Sequence, residues 1–111
     1  MRPEDLIRIR HMIEAGESAL RFIAGRTRAD LDTDEQLRFA LTRAVEIIGE
    51  AASKILLETR LAIPSVPWVD IIYMRNRLAH AYFDIDHDIV WETITRDIPD
   101  LLPLLRPLLP S

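Results

Sequence analysis

Apolar residues in this chain recur at alternating spacings of three and four. Leu6, Ile9, Ile13, Gly16, Leu20 and Ile23 form one such series, and Leu37, Leu41, Ala44, Ile48, Ala51 and Ile55 form a second. Val90, Ile94, Ile98, Leu101, Leu105 and Leu108 form a third. That period places one residue per turn on a single helical face, whereas a strand would need alternation every second residue. No strand alternation, internal repeat or low-complexity linker interrupts the pattern. The expectation is an all-α protein: an antiparallel four-helix bundle with a short additional C-terminal helix, residues 1–111 forming a single domain.

Local signals set the expected boundaries. A first helix is predicted over 3–24, with Pro3 at the first position, Glu4 and Asp5 against the positive dipole end, and Gly25 as its stop. Residues 25–32 read as a loop. Thr33 with Gln36 three residues on makes a capping-box pattern, so a second helix is predicted to start there and run to about Arg60. Pro64 and Pro67 break the pattern, and a third helix is predicted from Pro67 or Trp68 to Ala81 or Tyr82. Asp86 or Asp88 would cap a fourth. Pro99 predicts a kink there, or a break into a fourth and a short fifth helix. The tail, with Pro99, Pro103 and Pro107, reads as short turns packed on the body or on a partner.

The formal net charge is −4 and the pI near 5.3. That argues against a whole-surface nucleic-acid binder but leaves room for a local basic site. Thirteen of the fourteen basic residues are Arg, the exception being Lys54. Arg grips phosphate bidentately, although a GC-rich genome produces the same bias. The absence of cysteine excludes disulfides and thiolate metal sites. The N-terminus has no apolar signal-peptide core, and no apolar run approaches the roughly 20 residues of a membrane helix, so a cytoplasmic protein is expected.

His11, His80 and His87 form no HxxH or HxxxH pair, which speaks against an all-protein zinc site. Asp84, Asp86 and Asp88 alternate in a turn but resemble caps more than ligands, and Glu46 with Glu50 reads as a solvated or dimer-facing pair. Trp68 and Trp91 are read as core or interface residues. No phosphate-binding glycine loop or nucleophile elbow is present.

One segment concentrates chemistry: MRNRLAHAYF at 74–83. On a helix Asn76 and His80 would share a face, Arg77 would flank it, and Arg75 would lie in one stripe with Tyr82. Arg75 and His80, five apart, would not align on one helix; side-chain length, fraying or a second copy would have to join them. Arg and His near a helix C-terminus also favour the dipole, so spacing alone leaves a purely structural reading open. As chemistry, His moves protons near neutral pH and Arg holds a phosphate gaining negative charge. Together, without metal ligands, they suit cleavage of RNA through its ribose 2′-OH.

MRNRLAHAYF also resembles the Arg, polar residue, three residues, His, any residue, Tyr signature of HepT-type toxins of the HEPN superfamily (the DUF86 family). RAVEIIGEAASKI at 43–55 is similar to that family's second-helix segment, and the stretch from IPSVPWVDII to RDIPDL is similar to its C-terminal half. The resemblance implies a HEPN-like helical bundle that dimerises, with both copies of the motif lining a cleft. It implies a metal-independent endoribonuclease without cofactor, the toxin of a toxin–antitoxin pair. Arg75 and His80 would be catalytic, Asn76 supporting and Arg77 a candidate RNA contact. Tyr82 would receive AMP from the cognate minimal nucleotidyltransferase antitoxin. The alternative is a non-catalytic helical dimer that serves as binding partner of a nucleotidyltransferase.

Overall fold

In a computed structural model the described residues are 1–81 and 84–110, with residues 79–81 and 84 described by backbone alone. The fold is an all-α bundle built on two long helices, α1 (Pro3–Ile23) and α3 (Glu35–Lys54), packed along their lengths. Of the expected series, Ile9, Ile13 and Gly16 on α1 and Leu37, Leu41, Ala44, Ile48 and Ala51 on α3 are buried; Met12, Ala19 and Val45 join them, while Leu6, Leu20 and Ile23 are half-buried. Gly25, at φ +73°, turns the chain out of α1. A single turn, α2 (Asp30–Thr33), occupies the expected loop and buries Leu31.

Two boundaries of the second expected helix differ. Its cap is Asp34 rather than Thr33, the carboxylate accepting from the Leu37 N–H at 2.9 Å. The helix also ends at Lys54 instead of running to Arg60. Ile55 and Leu56 adopt extended backbone, and a separate short helix, α4 (Leu57–Ala62), follows. The cause is tertiary. Asp5, fully buried, accepts the Leu56 N–H at 3.1 Å and the Thr59 hydroxyl at 2.9 Å, while Arg2 donates to it at 3.0 Å. A carboxylate on α1 thus satisfies a backbone donor that a continuous α3 would have kept for itself.

The third expected helix is divided. α5 (Trp68–Ile72) and α6 (Met74–Leu78) are joined at Tyr73, and the chain then leaves helical geometry. Residues 79–81 form β1 and residues 84–85 form β2, an irregular antiparallel pair closed by the Asp86 N–H on the Leu78 carbonyl at 2.7 Å. Gly49 explains why α5 lies so low on α3. A Cβ there would meet the Ile71 and Ile72 carbonyl oxygens, both at 3.3 Å. Trp68 is buried, its indole N–H donating to the Ile63 carbonyl at 3.0 Å, and Trp91 is half-buried.

α7 (His87–Glu92) starts on Asp86, whose carboxylate accepts the Ile89 N–H at 3.0 Å. A π turn at Thr93–Asp97 and α8 (Ile98–Leu105) continue it. The expected break at Pro99 becomes that widened turn, because Pro99 has no N–H to give the Thr95 carbonyl and its ring crowds the preceding turn. The tail is also more regular than expected: Pro103 sits inside α8, and only Arg106–Leu108 forms a 3₁₀ turn. An interior proline costs about 3 kcal/mol. Burying Ile98, Leu101, Leu102 and Leu105 returns about 1.5–3 kcal/mol each, so the helix persists. No described helix is long and apolar enough to cross a membrane.

Candidate functional site

α6 puts its two arginines on opposite sides, since residues two apart on a helix are turned by about 200°. Arg75 faces α3. Its side chain is 63% exposed, and its Nε lies 3.8 Å from Glu46 Oε1. That separation exceeds a hydrogen bond, and a pair this exposed is worth at most about 1 kcal/mol. No hydrogen bond from the Arg75 guanidinium is found among the described residues, so its donors remain available to a ligand. Glu46 also faces Arg43 at 3.7 Å, and Arg43 reaches Glu50 at 3.6 Å. The expected solvated carboxylate pair is therefore threaded with two guanidiniums.

Arg75, Glu46, Thr42, Phe39 and Arg38 line one open groove of ≈ 600 Å³, with Ile85 of β2 at its edge. The α3 contributors lie beside the core stripe, Arg38, Thr42 and Glu46 half-buried on its flank and Phe39 exposed furthest from it. Arg38 donates to the Leu31 carbonyl at 2.7 Å, which fixes it at the groove wall. Phe39 is 66% exposed. Among described residues the groove thus combines two guanidiniums, one carboxylate, one hydroxyl and one aromatic face.

Arg77 points the other way, to Asp97 in the π turn, with Nη2 3.4 Å from Oδ2. Asn76 is exposed between the two arginines. His80 lies in β1, described by backbone alone, and Tyr82 lies outside the described residues. Because α6 ends at Leu78 and β1 follows, helical spacing does not govern how Arg75 and Asn76 relate to His80. Of the other candidates, His11 is exposed on α1 and His87 binds Asp32 at 2.8 Å. No group of three His, Cys, Asp or Glu that could hold a metal occurs among the described residues.

The return from the hairpin is held by charge. Arg28 donates to Asp88 and, at 2.9 Å, to Asp32, which also meets His87. The His87 and Arg28 hydrogen bonds draw the Asp32 carboxyl below its ordinary pKa, and the Asp88 bond raises Arg28. The loop ahead of α2 is thereby tied to the start of α7. Spacing gave no signal for this cluster. Glu46 and Phe39, also missed as groove residues, were visible only as polar and aromatic side chains off the core stripe.

A family model described as Ribonuclease HepT-like matches residues 12–108. A protein described as a probable ribonuclease HepT from Thermococcus cleftensis is 42% identical over 72 residues, 65% of this chain and 66% of that one. Two more relatives are named, with similar qualification, as RNases. The one from Caldanaerobacter subterraneus subsp. tengcongensis is 37% identical over 93 residues, covering 84% of this chain and 83% of its own. The one from Methanocaldococcus jannaschii is 32% identical over 90 residues, covering 81% and 83%. No solved structure matches the chain.

Proposed function

The chain belongs to the Ribonuclease HepT-like family, and from that membership we propose that it is a metal-independent endoribonuclease acting as the toxin of a HEPN–nucleotidyltransferase toxin–antitoxin pair. The observation that carries this reading is the position of Arg75, exposed in a groove on α3 with no hydrogen bond from its guanidinium among the described residues, five residues before His80.

In the proposed reaction a ribose 2′-oxygen attacks the adjacent phosphorus and the bond to the 5′-oxygen breaks. The products are a 2′,3′-cyclic phosphate and a 5′-hydroxyl. Arg75 holds the non-bridging oxygens as charge accumulates on them. His80 takes the 2′-OH proton or delivers one to the leaving oxygen, a role that imidazole chemistry suits. Two copies meeting across a two-fold axis would pool both roles in one cleft and form the proposed homodimer. Asn76 orients the site, and Arg77 is a candidate RNA contact from the far side of α6. The partner is a minimal nucleotidyltransferase that adds AMP to Tyr82, placing a negative phosphate in the path of RNA.

Cleavage of RNA by purified protein in EDTA tests the core of the proposal. Wild type should cut, and His80→Ala and Arg75→Ala, folded and in the same assembly state, should each lose about 10²–10⁴-fold. If none cuts, yet all bind the nucleotidyltransferase, the non-catalytic reading takes its place. Intact mass after incubation with that partner and ATP checks the modification; added AMP that persists in Tyr82→Phe would refute Tyr82 as the acceptor.

A further inference from the structure

We infer that Phe39 is a nucleobase platform: one face of its ring stacks a base of single-stranded RNA, on a nucleotide flanking the linkage whose phosphate is held by Arg75. The inference rests on the ribonuclease reading and adds to it a subsite for a flanking nucleotide.

Phe39 belongs to α3, whose core face is filled by Leu37, Leu41, Ala44 and Val45. Its ring lies off that face and is 66% exposed, more than any other aromatic among the described residues; Tyr73 follows at 58% and Phe22 at 44%. A single exposed aromatic needs no explanation by itself. This one lines the same ≈ 600 Å³ groove as Arg75 and Arg38, and Thr42 offers a hydroxyl between them. An aromatic face beside a track of guanidiniums is what single-stranded nucleic acid binds, because every base has a π-face and every nucleotide a phosphate.

Register along α3 sets which base is held. Glu46, which marks the Arg75 guanidinium, lies seven residues beyond Phe39, about 10 Å along the axis. The stacked base therefore belongs to a neighbour of the cleaved linkage rather than to the nucleotide being cut. Glu46 favours this arrangement over a bare anion site. Its carboxylate repels a second phosphate deep in the groove but leaves the guanidinium edge of Arg75 open. The Arg38 bond to Leu31 stiffens the wall beside the ring.

A 2′-O-methyl oligoribonucleotide, which lacks the attacking hydroxyl, supplies the test, with 2-aminopurine placed at successive positions. It is titrated against wild type, Phe39→Leu, Phe39→Trp and Arg75→Ala, each checked by circular dichroism and sedimentation. Wild type should quench the fluorescence at one favoured position. Phe39→Leu should lose that quench and bind about 5- to 100-fold more weakly, the equivalent of one stacked base. Its salt dependence should not change, since no phosphate contact is removed, and Phe39→Trp should restore both signals. Arg75→Ala should weaken binding and flatten the salt dependence while keeping the quench at saturation.

Phe39→Leu binding and quenching like wild type would overturn the inference, and so would loss of self-association in that variant, which would make Phe39 a contact with a second copy. Wild type that neither binds nor cuts RNA would take down the ribonuclease reading as well. Wild type that cuts RNA, beside a Phe39→Leu that cuts and binds equally, would remove only the stacking platform.

Discussion

Asp5 stands in the first turn of α1, where an acidic residue complements the helix dipole, yet its main work is elsewhere. Its buried carboxylate takes hydrogen bonds from Arg2, Leu56 and Thr59. The Arg2 bond above all, against the opposing effect of burial, lowers its pKa from 3.8 to about 2. The folded state thus prefers Asp5 ionised. Its stabilising contribution is complete above pH 4 and is lost as pH falls toward 2, where the folded form also takes up the proton. Asp5→Ala would remove the shared acceptor of Arg2, Leu56 and Thr59 and should cost about 2–3 kcal/mol at pH 7. Urea denaturation at pH 7, 4 and 3 should show wild type losing stability over that interval and the variant losing less. Sequence alone marked Asp5 as acidic and early in a helix; nothing local shows that Leu56 and Thr59, some fifty residues on, will close over it. Glu46 carries the same lesson, since its partner Arg75 lies on another element.

Among the elements, the two long helices were legible because their apolar series are uninterrupted, and the ends of α1 because they carry Pro3 and Gly25. The α7 cap at Asp86 was legible for a similar reason. The break after Lys54, the division at Tyr73 and the departure from helix after Leu78 were not, because contacts between elements decide them. Gly49 is the clearest case: in sequence it weakens a helix, and in the fold it makes room for the α5 carbonyls. Gly49→Ala gains about 1 kcal/mol of helix propensity against two contacts a few tenths of an ångström too tight, and should be near neutral. Gly49→Val must lift α5 and should cost about 1–3 kcal/mol, read from the denaturation midpoint. Because α6 follows α5 directly, its RNA cleavage should also fall by more than the loss of folded protein explains.

At the scale of the molecule, the period of three and four fixed the fold class, and the motif at 74–83 located the candidate site. The groove itself needed the packing of α6 on α3. The net charge of −4 is not uniform over the surface, since the Arg75 groove sets two guanidiniums against one carboxylate. Closure of the core depends on the last helix. Ile98 and Leu102 of α8 sit against Gly16, where a Cβ would meet them at 3.2 and 3.0 Å, and Ile98, Leu101, Leu102 and Leu105 are all buried. A chain truncated after Asp97 should therefore lose its cooperative thermal transition by circular dichroism and cut no RNA.

That dependence on α8 reaches into how the protein is made. A ribosome releases the chain from its N-terminus at about 5–20 residues per second. α1 and α3 emerge before the Arg75 and His80 segment, and α8, which shuts the core, emerges after it. Until α8 follows, the Gly16 face of α1 that Ile98 and Leu102 cover stays open, so the chain carries its site segment before it has a closed core.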